Sequence, residues 1–387
     1  MSKRKVCIVT GTRAEWGLLQ PIAAELKRRG DVELQIVATN MHLNPLYGMT
    51  VNQIERDGFR VDERVAMPAD TVDGRSTARA MGVCMQGMAD AFSRLEPDLV
   101  VILGDRYEML AVASTATVMR IPIVHLHGGE ITLGAMDDAI RHAITEMAAL
   151  HLVSTDDHRR RVVQLGQQPD RVITTGAIGV YQTLNVPRMP LSEIRDSLGF
   201  DVDAQTLLVT YHPATMDPRP AEELFGQLLE ALDRLPDCRV IFTYPNNDPQ
   251  GQGLIRQLQA WVERNSSRAM AIPSLGQRRY LSILPYIGAV VGNSSSGIIE
   301  VPSAGIPTVN IGIRQLGRTQ AASVVNCDDN AGDIERSIRL ALSPEFRRKA
   351  ATAVNPYYRP DSLSLIVGAI ADTPLESLRN KTFYDIQ

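Results

Sequence analysis

Acids, imidazoles and guanidiniums crowd one stretch of this chain: Asp105-Arg106, His127, Glu130, Asp137, Asp138, Arg141 and His142. Carboxylates and imidazoles are the usual proton-transfer groups. A second set lies far downstream, Asn293-Ser294-Ser295-Ser296-Gly297 followed by Glu300. Small hydroxyl residues at a turn expose several N–H and O–H donors, a nest suited to a diphosphate. The carboxylate beyond them can accept from sugar hydroxyls. A capping box accounts for one serine and Glu300, but not for three serines and an asparagine.

Three weaker signals join these. Gly11-Thr12-Arg13 is a strand-to-helix turn, read either as an anion site or as a tight turn with an exposed arginine. Tyr211-His212-Pro213 and Tyr244-Pro245-Asn246-Asn247-Asp248 each end a β-rich run. His125 and His127 stand at alternate positions, which points both to one side of any strand they extend. His-x-His is also a metal-ligand spacing, but no cysteine is nearby and a third ligand would have to come from a separate element. Asp138 and Arg141 at i,i+3 also fit a structural ion pair on a helix.

The elements that must position these groups follow from the hydrophobic pattern. Leu99-Val-Val-Ile-Leu103 breaks into Gly104-Asp105-Arg106, Ile121-Pro-Ile-Val124 into His125–Glu130, and Ala289-Val-Val291 into Gly292–Gly297. In open α/β sheets, ligands bind outside the carboxyl ends of the strands. Further strands are predicted at Val6–Thr10, Leu34–Ala38, His151–Ser154, Leu207–Tyr211, Arg239–Thr243, Met270–Ile272 and Pro307–Ile311. Between them lie amphipathic helical patterns such as Ala14–Arg29, Ser76–Leu95, Arg106–Met119, Asp137–Ala149 and Asp156–Leu165, which implies parallel βαβ units. The pattern dissolves around Gly176–Pro190, where a linker is expected. The fold class is therefore α/β, two Rossmann-like doubly wound domains facing a cleft. The boundaries are 1–178, 179–360, and a C-terminal helix and tail over 361–387 expected to pack back on the N-terminal domain.

A chain of 387 residues exceeds one ordinary core. With 40 Lys+Arg against 44 Asp+Glu, its net charge of −4 gives no long-range attraction for nucleic acid or an anionic membrane. Any anionic ligand must be held by local arginines and helix ends. The four cysteines (Cys7, Cys84, Cys238, Cys327) form no CxxC pair and read as thiols of a reducing compartment. No apolar run approaches the length of a membrane span, and Met-Ser-Lys-Arg-Lys leads directly into a strand. A cytoplasmic location is expected. The turn Gly11-Thr-Arg-Ala-Glu-Trp-Gly17 lacks the G-x-G-x-x-G spacing of a dinucleotide site, so no cofactor is expected.

Taken together, the motifs resemble the hydrolysing UDP-N-acetylglucosamine 2-epimerases of sialic-acid pathways. The matching stretches are Gly11-Thr-Arg-Ala-Glu15, Met41-His-Leu43, Leu103-Gly-Asp-Arg-Tyr107, His125-Leu-His-Gly-Gly-Glu130, Ile140-Arg-His-Ala-Ile-Thr145, Gly292–Gly297, Asn310-Ile-Gly-Ile-Arg-Gln315 and the tail Phe383-Tyr-Asp-Ile386. They run in order along nearly the whole chain. The resemblance implies a GT-B-like fold with the nucleotide held mainly by the C-terminal domain. Arg13, Ser294, Ser295 and Arg314 would hold UDP, and Glu300 the ribose. Arg106, His212 and Asn246 would lie along the diphosphate and sugar, with His212 also among the candidate catalytic groups. Asp105 and Asp137 would transfer protons, and His42 would sit beside the sugar. Some family members carry a carboxylate where this chain has His127, so that role passes to His127 itself or to Glu130. The implied partner is a UDP-sugar, with no metal, and the chain is expected as a homodimer or homotetramer. UDP-N,N′-diacetylbacillosamine is the sibling substrate to UDP-N-acetylglucosamine. A GT-B glycosyltransferase, a nucleotide-sugar sensor and a non-hydrolysing epimerase are the competing readings.

Overall fold

The computed structural model describes residues 3–68, 73–133, 135–214, 217–245 and 251–386. The chain divides into two compact units. Unit 1 comprises Met1–Glu130, Asp137–Ile178 and Arg359–Gln387; unit 2 comprises Ile131–Met136 and Gly179–Tyr358.

Unit 1 is built on seven strands: β1 (Arg4–Thr10), β2 (Val32–Thr39), β3 (Glu63–Val65), β4 (Leu99–Leu103), β5 (Ile123–Leu126), β6 (Leu150–Val153) and β7 (Val172–Thr174). They form one parallel sheet in the order β3-β2-β1-β4-β5-β6-β7. All five residues of β4 are buried, as expected for a β-branched run covered on both faces. The helix Arg13–Arg28 buries Trp16, Leu19, Ile22, Ala23 and Leu26, the stripe that a 3.6-residue period produces. The C-terminal helix Ser362–Asp372 belongs to this unit, where Arg4 Nη1 donates to the Ile370 carbonyl at 2.8 Å.

Unit 2 carries β8 (Thr206–Thr210), β9 (Arg239–Thr243), β10 (Ala269–Ile272), β11 (Ala289–Gly292), β12 (Thr308–Ile311) and β13 (Val324–Cys327). These are parallel, in the order β10-β9-β8-β11-β12-β13. Leu207 and Val209 pack into one core with Phe225, Phe242 and Trp261, while Leu208 packs into another with Ile241 and Val290. Alternate side chains of β8 thus feed apolar layers on both faces.

In each sheet the strand order reverses once, between β1 and β4 and between β8 and β11. Such switch points open a crevice at the strands' carboxyl ends. They are also where Gly11–Arg13, Asp105–Arg106, His212 and Asn293–Ser295 follow their strands.

Two details differ from the sequence reading. The edge strands β3, β7 and β13 were not anticipated, because none presents a continuous buried run. The stretch read as a linker contains the helix Ile178–Asn185. Gly179 lies in its first turn, where a Cβ would come within 2.3 Å of Glu300 Oε1.

Candidate active site

The turn after β1 is closed from within. Thr12 and Glu15 form a capping box at the helix Arg13–Arg28. Glu15 accepts from the Gly11 amide at 2.7 Å and from the Thr12 amide at 3.2 Å. Those amides are consumed by the protein, so what the turn offers a ligand is the exposed Arg13 side chain. Next to it lies Glu108, fully buried, whose Oε1 would touch a Cβ at Gly11 at 2.6 Å. Arg106 Nε donates to the same Oε1 at 2.9 Å, which orients the guanidinium at the switch point. Burial and then the nearby Glu108 charge push the Glu15 carboxyl well above the usual carboxylate range.

The titratable groups of unit 1 converge on the loop after β5. His125, still in the strand, is fully buried; its Nε2 donates to the Gly104 carbonyl at 2.7 Å, and Thr145 Oγ1 lies 3.2 Å from Nδ1. Burial lowers its pKa to about 4, and it remains a neutral scaffold imidazole. His127 does not continue that strand. Its φ of 66° is left-handed, so the expectation that His125 and His127 face one side fails. That backbone state costs a non-glycine residue about 1–2 kcal/mol. The turn directs His127 Nδ1 onto Glu130 Oε1, 2.8 Å away. Ser154, which follows β6, donates from Oγ to the same Glu130 oxygen at 2.9 Å and lies 3.1 Å from His127 Nδ1. Since a carboxylate only accepts, Nδ1 bears the proton and Nε2 carries the imidazole lone pair. His127 stays 12% exposed whereas Glu130 is buried.

Two arginines fix this loop. Arg141 Nη1 donates to the Glu130 carbonyl at 2.8 Å, and Arg161 Nη1 donates to the Gly129 carbonyl. Arg141 is buried, and its Nη2 also meets Asp105 Oδ2 while Nη1 lies 3.5 Å from Asp138 Oδ1. Arg141 therefore ties Asp105, after β4, to the Glu130 loop, well beyond a simple i,i+3 pair. Asp137 opens the helix Asp137–Met147 on which Arg141 stands.

His42, expected beside the sugar, is fully buried, with Nε2 3.0 Å from Thr10 Oγ1 and Nδ1 2.8 Å from Thr50 Oγ1. Burial lowers its pKa to about 4. Both ring nitrogens are spent on the scaffold.

In unit 2 the switch point is laced by Asn293. Its side chain accepts from the His212 amide at 2.7 Å and donates to the His212 carbonyl at 2.8 Å. Its own carbonyl accepts from Arg314 Nη1 at 3.1 Å and from Gln315 Nε2 at 2.8 Å. Asn293 thereby gathers His212 after β8, the serine loop after β11 and Arg314 after β12. Gly292, at φ 130°, is required because a Cβ would lie 2.0 Å from the Thr210 carbonyl oxygen. Ser294, Ser295 and Ser296 are each half-buried, and Ser296 Oγ is 2.6 Å from Tyr280 Oη. Glu300 stands between the short helix Ser296–Ile299 and the turn Val301–Ala304. Asn246 lies outside the described residues.

Sequence reasoning had not identified Ser154, Glu108 or the lacing role of Asn293. Only the fold brings them to their partners, and an isolated serine or glutamate in the chain carries no such signal.

The fold and these groups define a GT-B-like α/β protein with a cluster of acids, imidazoles and arginines in one unit and a hydroxyl-rich strand end in the other. A solved structure of UDP-GlcNAc 2-epimerase from Neisseria meningitidis bound to UDP-GlcNAc shares this fold, with a TM-score of 0.77 over 95% of this chain and 99% of that one at 19% identity. The family model for UDP-N-acetylglucosamine 2-epimerase matches residues 24–371, and the chain belongs to that family. It is 38% identical over the full length of both chains to a GDP/UDP-N,N′-diacetylbacillosamine 2-epimerase (hydrolyzing) of Campylobacter jejuni. It is 33% identical to polysialic acid biosynthesis protein P7 of Escherichia coli, covering 99% of this chain and 98% of that protein.

Proposed function

We propose that this chain is a hydrolysing UDP-sugar 2-epimerase that converts UDP-N-acetylglucosamine and water to N-acetylmannosamine and UDP. The C2 hydrogen of the sugar is not next to a carbonyl, so simple deprotonation is out of reach. Elimination solves this. A base takes the C2 proton, the C–H electron pair becomes the C1=C2 double bond, and the C1–O bond breaks with its pair leaving on UDP. Water then adds its oxygen to the glycal at C1, and C2 receives a proton on the opposite face.

The observation that carries this reading is the 2.8 Å hydrogen bond between His127 Nδ1 and Glu130. It leaves the Nε2 lone pair to act as the C2 base, and Glu130 supports the imidazolium that forms. Asp105, oriented by Arg141, and Asp137 are assigned the remaining proton transfers. Arg13, Arg106, Arg314, Ser294 and Ser295 are assigned to the diphosphate, whose departing charge needs fixed donors. Glu300 is assigned to the ribose, and His212 to the diphosphate side of the sugar. Asn246 keeps its place by resemblance alone, and His42 is assigned no contact through its ring. The reading includes a cytoplasmic location, in keeping with four free thiols, a homodimeric or homotetrameric assembly, and turnover with neither NAD nor metal.

A second substrate, UDP-N,N′-diacetylbacillosamine, is favoured by the 38% identity to an enzyme named for it. The two differ at sugar positions 4 and 6. A pocket built to bond a hydroxyl rejects an analogue lacking it by about 10⁴-fold. The test is UDP release from each sugar nucleotide, separately, without NAD or metal. Release from one names the substrate. Binding without release from either contradicts the proposal and leaves a transferase or a sensor.

A further inference from the structure

We infer that Ser154 is a positioning residue for proton transfer at His127, completing a Ser154–Glu130–His127 cluster. The inference rests on the reading of His127 as the C2 base. An imidazole there needs what a carboxylate does not, namely one defined tautomer and one ring orientation.

Three observations show how unit 1 supplies both. The His127 amide donates to the Leu152 carbonyl at 3.0 Å, which extends the β5–β6 ladder by one residue. The chain then turns left-handed at His127. Ser154, two residues beyond Leu152 on the partner strand, thus comes level with the turned imidazole. Ser154 is 2% exposed, so its hydroxyl is held by the protein rather than by solvent. Its single proton goes to Glu130 Oε1 at 2.9 Å, and its oxygen faces His127 Nδ1 at 3.1 Å. The Nδ1–H is therefore shared between two acceptors, Glu130 Oε1 and Ser154 Oγ. Both hold the proton on Nδ1 and keep Nε2 bare. The hydroxyl also gives Glu130 Oε1 a second donor beside the His127 Nδ1–H, which fixes the carboxylate that the imidazole leans on. No atom of Ser154 needs to touch the sugar.

The test uses full-length protein with Ser154→Ala and Ser154→Thr. Ser154→Ala is expected to lower kcat about tenfold, the effect of removing one hydrogen bond to a charged group, with KM within about twofold by the same argument. Ser154→Thr, which keeps the hydroxyl, is expected to recover most of kcat. A second readout is independent of turnover: ¹⁵N NMR of the His127 ring shows a single Nδ1–H tautomer in the parent and a tautomer mixture in Ser154→Ala. Unchanged kcat and an unchanged ring spectrum in Ser154→Ala overturn the inference. Loss of kcat that Ser154→Thr fails to restore, with an unchanged ring spectrum, also overturns it, since that is a packing effect. If His127→Ala keeps full activity, the base assignment itself fails, whatever Ser154 does to the spectrum.

Discussion

Asn293 holds His212 by both of its backbone groups, accepting from the amide at 2.7 Å and donating to the carbonyl at 2.8 Å. Those groups lie just past β8, where the ladder that would otherwise pair them has ended. Asn293→Asp keeps the acceptor and loses the donor, leaving a buried carbonyl beside a carboxylate. The expected cost is about 1–3 kcal/mol of stability, read as a lower Tm, together with weaker UDP binding because Arg314 and the serine loop lean on the same residue. A variant with parental Tm and parental UDP affinity contradicts the assignment.

His127→Ala and Glu130→Gln should each lower kcat by about 10²–10⁴, the usual contribution of a positioned acid or base. UDP affinity, measured by calorimetry, should be unchanged, because the groups assigned to the diphosphate are elsewhere. Parental turnover in both variants would remove this loop from the chemistry.

The loop's shape is set by Gly129. At φ 75°, an added Cβ would lie 2.6 Å from the His158 carbonyl oxygen and 2.7 Å from Val162 Cγ2. Gly129→Ala is expected to cost at least about 2 kcal/mol and to depress turnover as Glu130 shifts. Gly82→Ala serves as the contrast. It sits within the helix Gly74–Leu95 with nothing near its Cβ, and should stabilise by about 0.5–1 kcal/mol. Melting curves of the two variants should move in opposite directions.

Acid stability follows from the buried imidazoles. His42 and His125 are each lowered by burial from 6.5 to about 4. Between those values the unfolded chain takes up protons that the folded chain refuses, so stability falls as pH drops from 6.5 to 4. Each imidazole contributes up to about 3 kcal/mol over that window. Glu15 has the opposite sign. Its raised pKa favours the fold at low pH and loses that contribution as pH rises above the ordinary carboxylate range. Glu15→Gln, which keeps an acceptor for the Gly11 amide, should therefore melt higher than the parent at pH 8. The Tm–pH profiles of parent and variant check both signs.

The central strands were legible because each is an unbroken apolar run ending at a glycine or a polar residue. Glu63-Arg-Val65 and Val324-Val-Asn-Cys327 were not, since an edge strand buries one neighbour's side only and keeps polar residues. Asp105, His127, His212 and Asn293 follow strands as the sequence pattern predicts, but their surroundings separate only in space. His125 and His127 look equivalent in sequence, yet one is locked under Gly104 and the other turns left-handed toward Glu130. Gly11–Thr12 reads equally as an anion site or a tight turn until Glu15 is seen to occupy both amides. Strand order, which makes β1/β4 and β8/β11 the switch points, has no signature in spacing at all.

The most direct test runs the reaction to completion in deuterated water, without NAD or metal, and follows C2 of the released sugar by proton NMR. Elimination and rehydration give free UDP and a manno-configured sugar carrying deuterium at C2. A sugar that keeps its C2 hydrogen, or that remains attached to UDP, would contradict this route.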